Sequence, residues 1–390
     1  MTQTELANLS TMMADSQSGA SPSGAYLYLS RARSSHFASH FGSTGGRWAA
    51  TAHSRFLMLM LCLLLCLRGL ASAQTQETWT DLDGNGLWSD GNNWNPPTGS
   101  GGPNGNYNVT IDPFTGGPTG GAILDVSASI VNLTIEANAG LSIVNLSVLK
   151  ITGATITNDG QFAIIDVAGF GTGGFIYIAD TVTLSGSGET YLDSTGIARI
   201  AGLGTLINQQ TINGEGGGEI LVTLQNQGPS GQITGGTSTK PLVISGPVTN
   251  SGLISGLNFS TVEFSVNTVQ NAGGTIDGTD SGQVLLEFPT IVGGTIGSAS
   301  AIPSKGLGPT LSGVTITGTY SVTSTATVTA TTTLVGTITN NGKILVTSPA
   351  GEQAATLSIS GAVQLAGTGQ VTMSGQSASI QWHDQPCQPD

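Results

Sequence analysis

The sequence predicts an all-β protein, a right-handed parallel β-helix with a Trp-rich cap at its N-terminal end. Three observations predict it: short runs that alternate apolar with small polar residues, an Asn-Gly phrase that returns at a near-constant interval, and three tryptophans clustered ahead of the repeats. An array of β-sandwiches is the alternative with the same strand content.

Alternation comes first. Leu141-x-Ile143, Leu146-x-Val148 and Leu149-x-Ile151 each skip one residue between apolar ones, which places those side chains on one face of a strand. Val322, Ala326, Val328 and Ala330 alternate with Thr323, Thr325, Thr327 and Thr329 in the same way. β-Branched residues dominate, and no window carries a 3.6-residue apolar period, so helix content is expected to be very low.

The repeat phrase is apolar-Thr-Asn-x-Gly. It reads Ile156-Thr157-Asn158-Asp159-Gly160, Val248-Thr249-Asn250-Ser251-Gly252 and Ile338-Thr339-Asn340-Asn341-Gly342. Looser copies carry Asn226 and Asn271. Asn226 and Asn250 are 24 residues apart, Asn250 and Asn271 are 21 apart, and the longer gaps fit multiples of 23. A period of that length with strand-and-turn content signals a solenoid, whose coils bury their apolar faces only by stacking. Asn and Gly suit its corners because both tolerate positive φ and stacked Asn side chains hydrogen-bond along a ladder. Eleven or twelve coils are expected.

Five segments follow. Residues 1–55, rich in Ser, Ala and Gly, are an extended leader or the product of a misassigned start codon. Residues 56–73 read as a signal peptide: FLMLMLCLLLCL follows Arg47, His53 and Arg55, and Ala71-Ser72-Ala73 is a small-x-small cleavage site. Twelve apolar residues are too few to span a membrane as a helix. Residues 74–118 are the Trp-, Gly- and Asn-rich cap segment, 119–380 the β-helix repeats, and 381–390 (QWHDQPCQPD) a tail of abruptly different composition, expected to be truncated or frameshifted.

Composition narrows the function. A cut after Ala73 leaves Lys150, Arg199, Lys240, Lys305 and Lys343 against 21 acidic residues. So acidic a surface is a poor partner for nucleic acid or anionic membrane. One cysteine, Cys387, and one histidine, His383, follow the cut, so no intrachain disulfide is expected there and general-base chemistry has few candidates. The N-T-D, D-D, G-H-G and R-I-K motifs of polysaccharide hydrolases do not occur, and the basic residues a lyase needs are scattered. Glu215 with Glu219, and Asp277 with Asp280, are acid pairs in Gly-rich turns and read as solvated turn residues. Asn108, Asn132, Asn145 and Asn258 begin Asn-x-Ser/Thr triplets, which matter only in a source that glycosylates them.

Two binding features stand in the cap segment. Asp81-x-Asp83-x-Asn85-Gly86 matches the first half of an EF-hand-type calcium loop, with Asp81, Asp83 and Asn85 as oxygen ligands. Asn92 stands where a bidentate Glu would close it, so a plain Asp/Asn/Gly turn presenting Trp88 is the competing reading. Trp79, Trp88 and Trp94 lie within sixteen residues and suit either a sugar-stacking platform or a plug over the open first coil.

This Trp-rich stretch resembles the opening of bacterial secreted repeat proteins of the autotransporter-passenger-like and planctomycete-type β-helix kind. The matching residues are Gly86-Leu87-Trp88, Asn93-Trp94, Pro103 and Val109-Thr110-Ile111, in the pattern G-x-W-x-x-x-x-N-W ahead of a V-x-I strand. The likeness covers residues 79–160 and beyond that is one of style. It implies a secreted or surface β-helix and names no activity. Such passengers precede a membrane barrel, a sorting tail or a docking module; none is recognised up to Asp390, so truncation with loss of an anchor is the expectation. The expected function is a non-catalytic structural or adhesin-like protein at the cell surface, touching extracellular polysaccharide or cell-surface components. A carbohydrate-binding or polysaccharide-active β-helix is the alternative. No cofactor other than calcium is expected.

Overall fold

The computed structural model describes residues 73–113, 121–144, 146–165, 173–193, 198–235, 240–265, 268–279, 281–301 and 308–383. Residues 1–72, which include most of the stretch expected to be a signal peptide, and Asn145, Asp280, Lys305 and Cys387 lie outside them.

Short strands follow one another at every corner of a three-sided coil. The first sheet is a ladder that opens with Thr75–Trp79, Tyr107–Ile111 and Asn132–Ile135 and closes with Ala378–His383. The second opens with Ala122–Leu124 and Gly140–Ile143. The third runs from Ala128–Ile130 to Gln370–Ser374 and counts twelve strands, marking about eleven turns of a parallel β-solenoid. Near the C-terminal end Ala330–Asn340 and Ala355–Ala366 each pass from the first sheet into the second without a break. Among the described residues one strand pair is antiparallel, Thr75–Trp79 with Trp94–Asn95. The only described helix is the 3-10 turn Gly91–Asn93.

The alternation read from the sequence fills the coil. Inward residues such as Ile130, Ile151 and Ile178 stand in register up the third sheet, fully or almost fully buried. They belong to one apolar cluster that extends from Trp79 to Leu357. Each such side chain contributes about 1.5–3 kcal/mol, gained only through its neighbours above and below. Outward Thr, Ser and Gln remain partly exposed and carry the solubility that few charges supply.

Coil length varies more than a fixed period of 23. Leu286 pairs with Ala301, 15 residues on, whereas Ile151 pairs with Ile178, 27 residues on. Sheet register constrains the strands, and the corners absorb the difference.

The Thr-Asn-x-Gly phrase proves to be a corner, not a fixed place on the coil. Asn158 and Asn250 turn the chain from the first sheet to the second, while Asn340 turns it from the second to the third. The 69-residue gap between Asn271 and Asn340 therefore does not measure whole coils. At all three corners the Asn Oδ1 accepts from the glycine N–H two residues on, at 3.2 Å. Positive φ is not the reason for these glycines. A Cβ on Gly160, Gly252 or Gly342 would collide with the carbonyl oxygen of Ala139, Gly231 or Gly318 in the coil before. Stacked corners leave no room for a side chain.

Stacked asparagines do occur within the first sheet. Asn208 Nδ2 donates to Asn226 Oδ1 at 2.8 Å, Asn226 Nδ2 to Asn250 Oδ1 at 2.8 Å, and Asn250 Nδ2 to Asn271 Oδ1 at 2.7 Å. All four side chains are fully buried.

The boundary drawn between cap segment and repeats at 118/119 is not where stacking begins. Thr75–Trp79 and Tyr107–Ile111 are already rungs of the first sheet, because they alternate as later strands do. At the other end the ladder continues past 380 to His383.

Candidate functional site

The cap segment closes the coil on all three sides. Trp94–Asn95 covers the outer edge of Thr75–Trp79. Gly86–Trp88 lies along Ala122–Leu124, with Ile123 N donating to Gly86 O and Trp88 N to Ile123 O, both at 2.8 Å. Over the third sheet Gly105 N donates to Ser129 O and Ser129 N to Asn104 Oδ1. The tryptophans fill the centre. Trp79 and Trp88 both meet Trp94 edge-to-face, with ring centroids 5.0 and 4.6 Å apart. Trp94 Nε1 donates to Trp88 O at 2.9 Å and Trp88 Nε1 to Pro103 O at 3.3 Å, while Trp79 Nε1 has no acceptor.

This corrects the sugar-platform reading. Trp79, Trp88 and Trp94 are at most 1% exposed and offer no ring face to a ligand. Three large apolar side chains beside an open coil are worth more in its core than on its surface.

The oxygens of the calcium-like loop are drawn into hydrogen bonds of the turn itself. Asp81, buried, accepts from Gly86 N at 2.8 Å. Asp83 Oδ2 accepts from Asn92 Nδ2 at 2.9 Å, and Asn85 Oδ1 from Leu87 N and Asn93 Nδ2 at 2.9 and 2.7 Å. Asp90, not foreseen as a member, takes Asn85 Nδ2 at 2.6 Å and Asn92 N at 3.1 Å. The hydrogen bonds from Asn92 and Asn85 hold its carboxyl below the usual aspartate range. Among the described residues no group of three or more His, Cys, Asp or Glu is arranged to hold a metal ion.

The pairing of Glu215 with Glu219 comes apart. Glu219 faces outward from the third sheet and bonds Arg199 at 2.6 Å, its register neighbour. Glu215 instead borders a cavity of about 310 Å³ with Glu189, Tyr191, Asn213 and Thr234. Tyr191, Asn213 and Thr234 share one outward column of the second sheet. The Tyr191 hydroxyl donates to Glu189, and that bond, burial and the charges of Glu189 and Glu215 push the phenol up to about 12. A phenol held that firmly protonated is a poor base at neutral pH.

A larger groove, about 680 Å³, lies beside the asparagine ladder and is lined without a charged residue. Its outward side chains include Gln209, Gln225, Gln227, Thr249 and Ser251, with Pro229 on the projecting Gly228–Ser230 turn. The amides are linked: Gln209 Nε2 donates to Gln227 Oε1 and Gln227 Nε2 to Gln225 Oε1, both at 3.2 Å. Gln225 and Gln227 flank Asn226, whose buried amide is fixed within the ladder. Sequence reasoning missed this groove. Its signal was two glutamine clusters, Gln209-Gln210 and Gln225-Asn226-Gln227, one short coil apart.

Fold and groove together define a parallel β-solenoid with one uncharged, amide-rich groove on its flank. No protein-family model, no curated protein and no solved structure matches the chain.

Proposed function

We propose that this protein is a secreted or cell-surface adhesive solenoid, without catalysis of its own, that holds a neutral polysaccharide chain along its flank. The uncharged groove of Gln209, Gln225 and Gln227 carries this reading. Each side-chain amide offers donors and an acceptor, as a row of sugar hydroxyls does. The net charge of −13 disfavours polyanionic glycans, and the groove presents no cation to attract them. The signal segment and the resemblance of residues 79–160 to secreted repeat proteins support export, which brings such a surface to extracellular polysaccharide. No helix among the described residues is long and apolar enough to cross a membrane.

The cavity of Glu189, Tyr191 and Glu215 favours a second reading, a polysaccharide-active protein, because it places two carboxylates at one depression. A glycan array together with a reducing-sugar assay separates the two. The adhesive reading expects binding to neutral glycans, lost on Gln225→Ala with Gln227→Ala, and no new reducing ends. Release of reducing ends that stops on Glu215→Gln would replace it with the catalytic one.

A further inference from the structure

We propose that the cavity of Glu189, Tyr191, Asn213, Glu215 and Thr234 is a second ligand site, which takes an amino sugar by its primary ammonium group.

The second sheet builds the floor of this cavity. Tyr191, Asn213 and Thr234 are register neighbours on its outward face, one per coil. Glu189 precedes Tyr191 on the same face of its strand, and Glu215 stands in the corner just after Thr211–Gly214. Leu257 and Asn258 form another wall, from the turn in which Ser260 N donates to Leu257 O at 2.9 Å.

This lining is rich in acceptors and poor in donors. It carries two carboxylates and no Lys, Arg or His. The Tyr191 hydroxyl already donates its proton to Glu189. Asn213 Oδ1 is buried and accepts from no donor. Thr234 is only 7% exposed, yet its hydroxyl has no hydrogen-bond partner among the described residues. A buried polar atom left bare is costly, and a ligand that brings donors removes the cost.

The chemistry of the lining selects the ligand. An ammonium group has N–H donors, no acceptor and a positive charge, which complements carboxylates and a bare amide oxygen. The chain's net charge of −13 draws cations toward it. A metal ion is a poorer fit. It needs about six to eight converging oxygens, and among the described residues no metal-holding group is found. A cavity of about 310 Å³ has the size of a small organic ligand instead. A lysine side chain would satisfy the carboxylates and bring nothing to Thr234. The ring hydroxyls of a hexosamine supply both donors and acceptors there, and Leu257 adds apolar surface for its C–H groups. Neither Gln225 nor Gln227 lines this cavity, so the site stands whatever the flank groove holds.

Isothermal titration of the purified protein tests this, at mildly acidic pH where the amine is protonated and carboxylates stay ionised. The probes are glucosamine, N-acetylglucosamine and Nα-acetyl-lysine amide. One saturable site for glucosamine is expected. N-acetylglucosamine, which lacks the charge, and the lysine derivative, which lacks the ring, should each bind at least about tenfold more weakly. Glu215→Gln, at an exposed turn position, should weaken glucosamine binding at least about tenfold. Glu136→Gln, an exposed carboxylate on an earlier coil, should leave it unchanged. Circular dichroism checks that both variants keep their strands, and the comparison of probes on the wild-type chain needs no variant. Failure to bind glucosamine, equal affinity for N-acetylglucosamine, or binding untouched by Glu215→Gln would each overturn the proposal. Equal or tighter binding of the lysine derivative would overturn it too, in favour of a peptide ligand.

Discussion

The first and the last described turns of the solenoid differ in how their apolar sections are covered. A stack of parallel coils leaves a raw apolar section and three strand edges at each end. At the N-terminal end a short antiparallel strand, two backbone crossings and three tryptophans fill the apolar section and meet each of the three edges. At the last described turn the same columns reach Leu365, Met373, Ile380 and Trp382, between 43% and 70% exposed. Burying a side chain of this kind fully is worth about 1.5–3 kcal/mol, so four half-exposed ones leave several kcal/mol ungained. Covering the end of a solenoid is thus a task separate from building its coils, and here the chain's own cap segment performs it at one end.

The largest expected effect tests that contrast directly. Trp94→Ala removes the ring that both other tryptophans contact and should cost about 3–5 kcal/mol in urea unfolding. Trp382→Ala, at a site 70% exposed on the last described turn, should cost no more than about 0.5 kcal/mol. Equal costs would mean that the cap is not what closes the coil.

Between the ends, stability rests on buried amides. Asn250→Ala deletes a fully buried side chain that accepts from Asn226 and Gly252 and donates to Asn271. Each partner left unsatisfied costs about 1–3 kcal/mol, so a total of about 2–4 kcal/mol is expected by the same urea measurement. Asn340→Ala breaks one corner outside the ladder and should cost less.

The coil itself was legible in the sequence and its corners partly so. Alternation in runs such as Leu141-x-Ile143 reports directly on which face is buried, because strand geometry leaves no other choice. Asn158, Asn250 and Asn340 share a phrase because they share a local hydrogen bond, and a local bond does not say which sheet it leads to. The tryptophans carried a similar ambiguity: a cluster of rings reads alike as platform or plug, and only their burial decides. The groove stayed hidden because Gln209 and Gln227 are brought together by a coil of 18 residues rather than 23.

A pH test sharpens the picture of the cap. Glu77 shares the inward face of its strand with Trp79, is 3% exposed, and has one carboxylate oxygen without a partner. Burial pushes its pKa above the usual glutamate value, so the folded state holds the proton more tightly than the unfolded chain. Its contribution to stability is fully present below the ordinary glutamate pKa and is lost as pH rises through the raised one. Glu77→Gln should therefore raise the unfolding midpoint at neutral pH and lose that advantage in the acid range. A variant that gains nothing at neutral pH would show that the carboxylate has found a partner.

The smallest effect is expected at the calcium-like loop. A hard cation takes about six to eight oxygens. One oxygen each of Asp81, Asp83 and Asn85 and both of Asp90 accept from Gly86, Asn92, Leu87, Asn93 and Asn85, bonds that also fix the turn carrying Trp88 into the cap. Seating an ion would release donors that already hold the cap in place. Thermal unfolding with chelator and with added calcium should coincide. A higher midpoint with calcium, abolished by Asp83→Ala, would instead make the ion part of the cap and widen the contrast between the two ends.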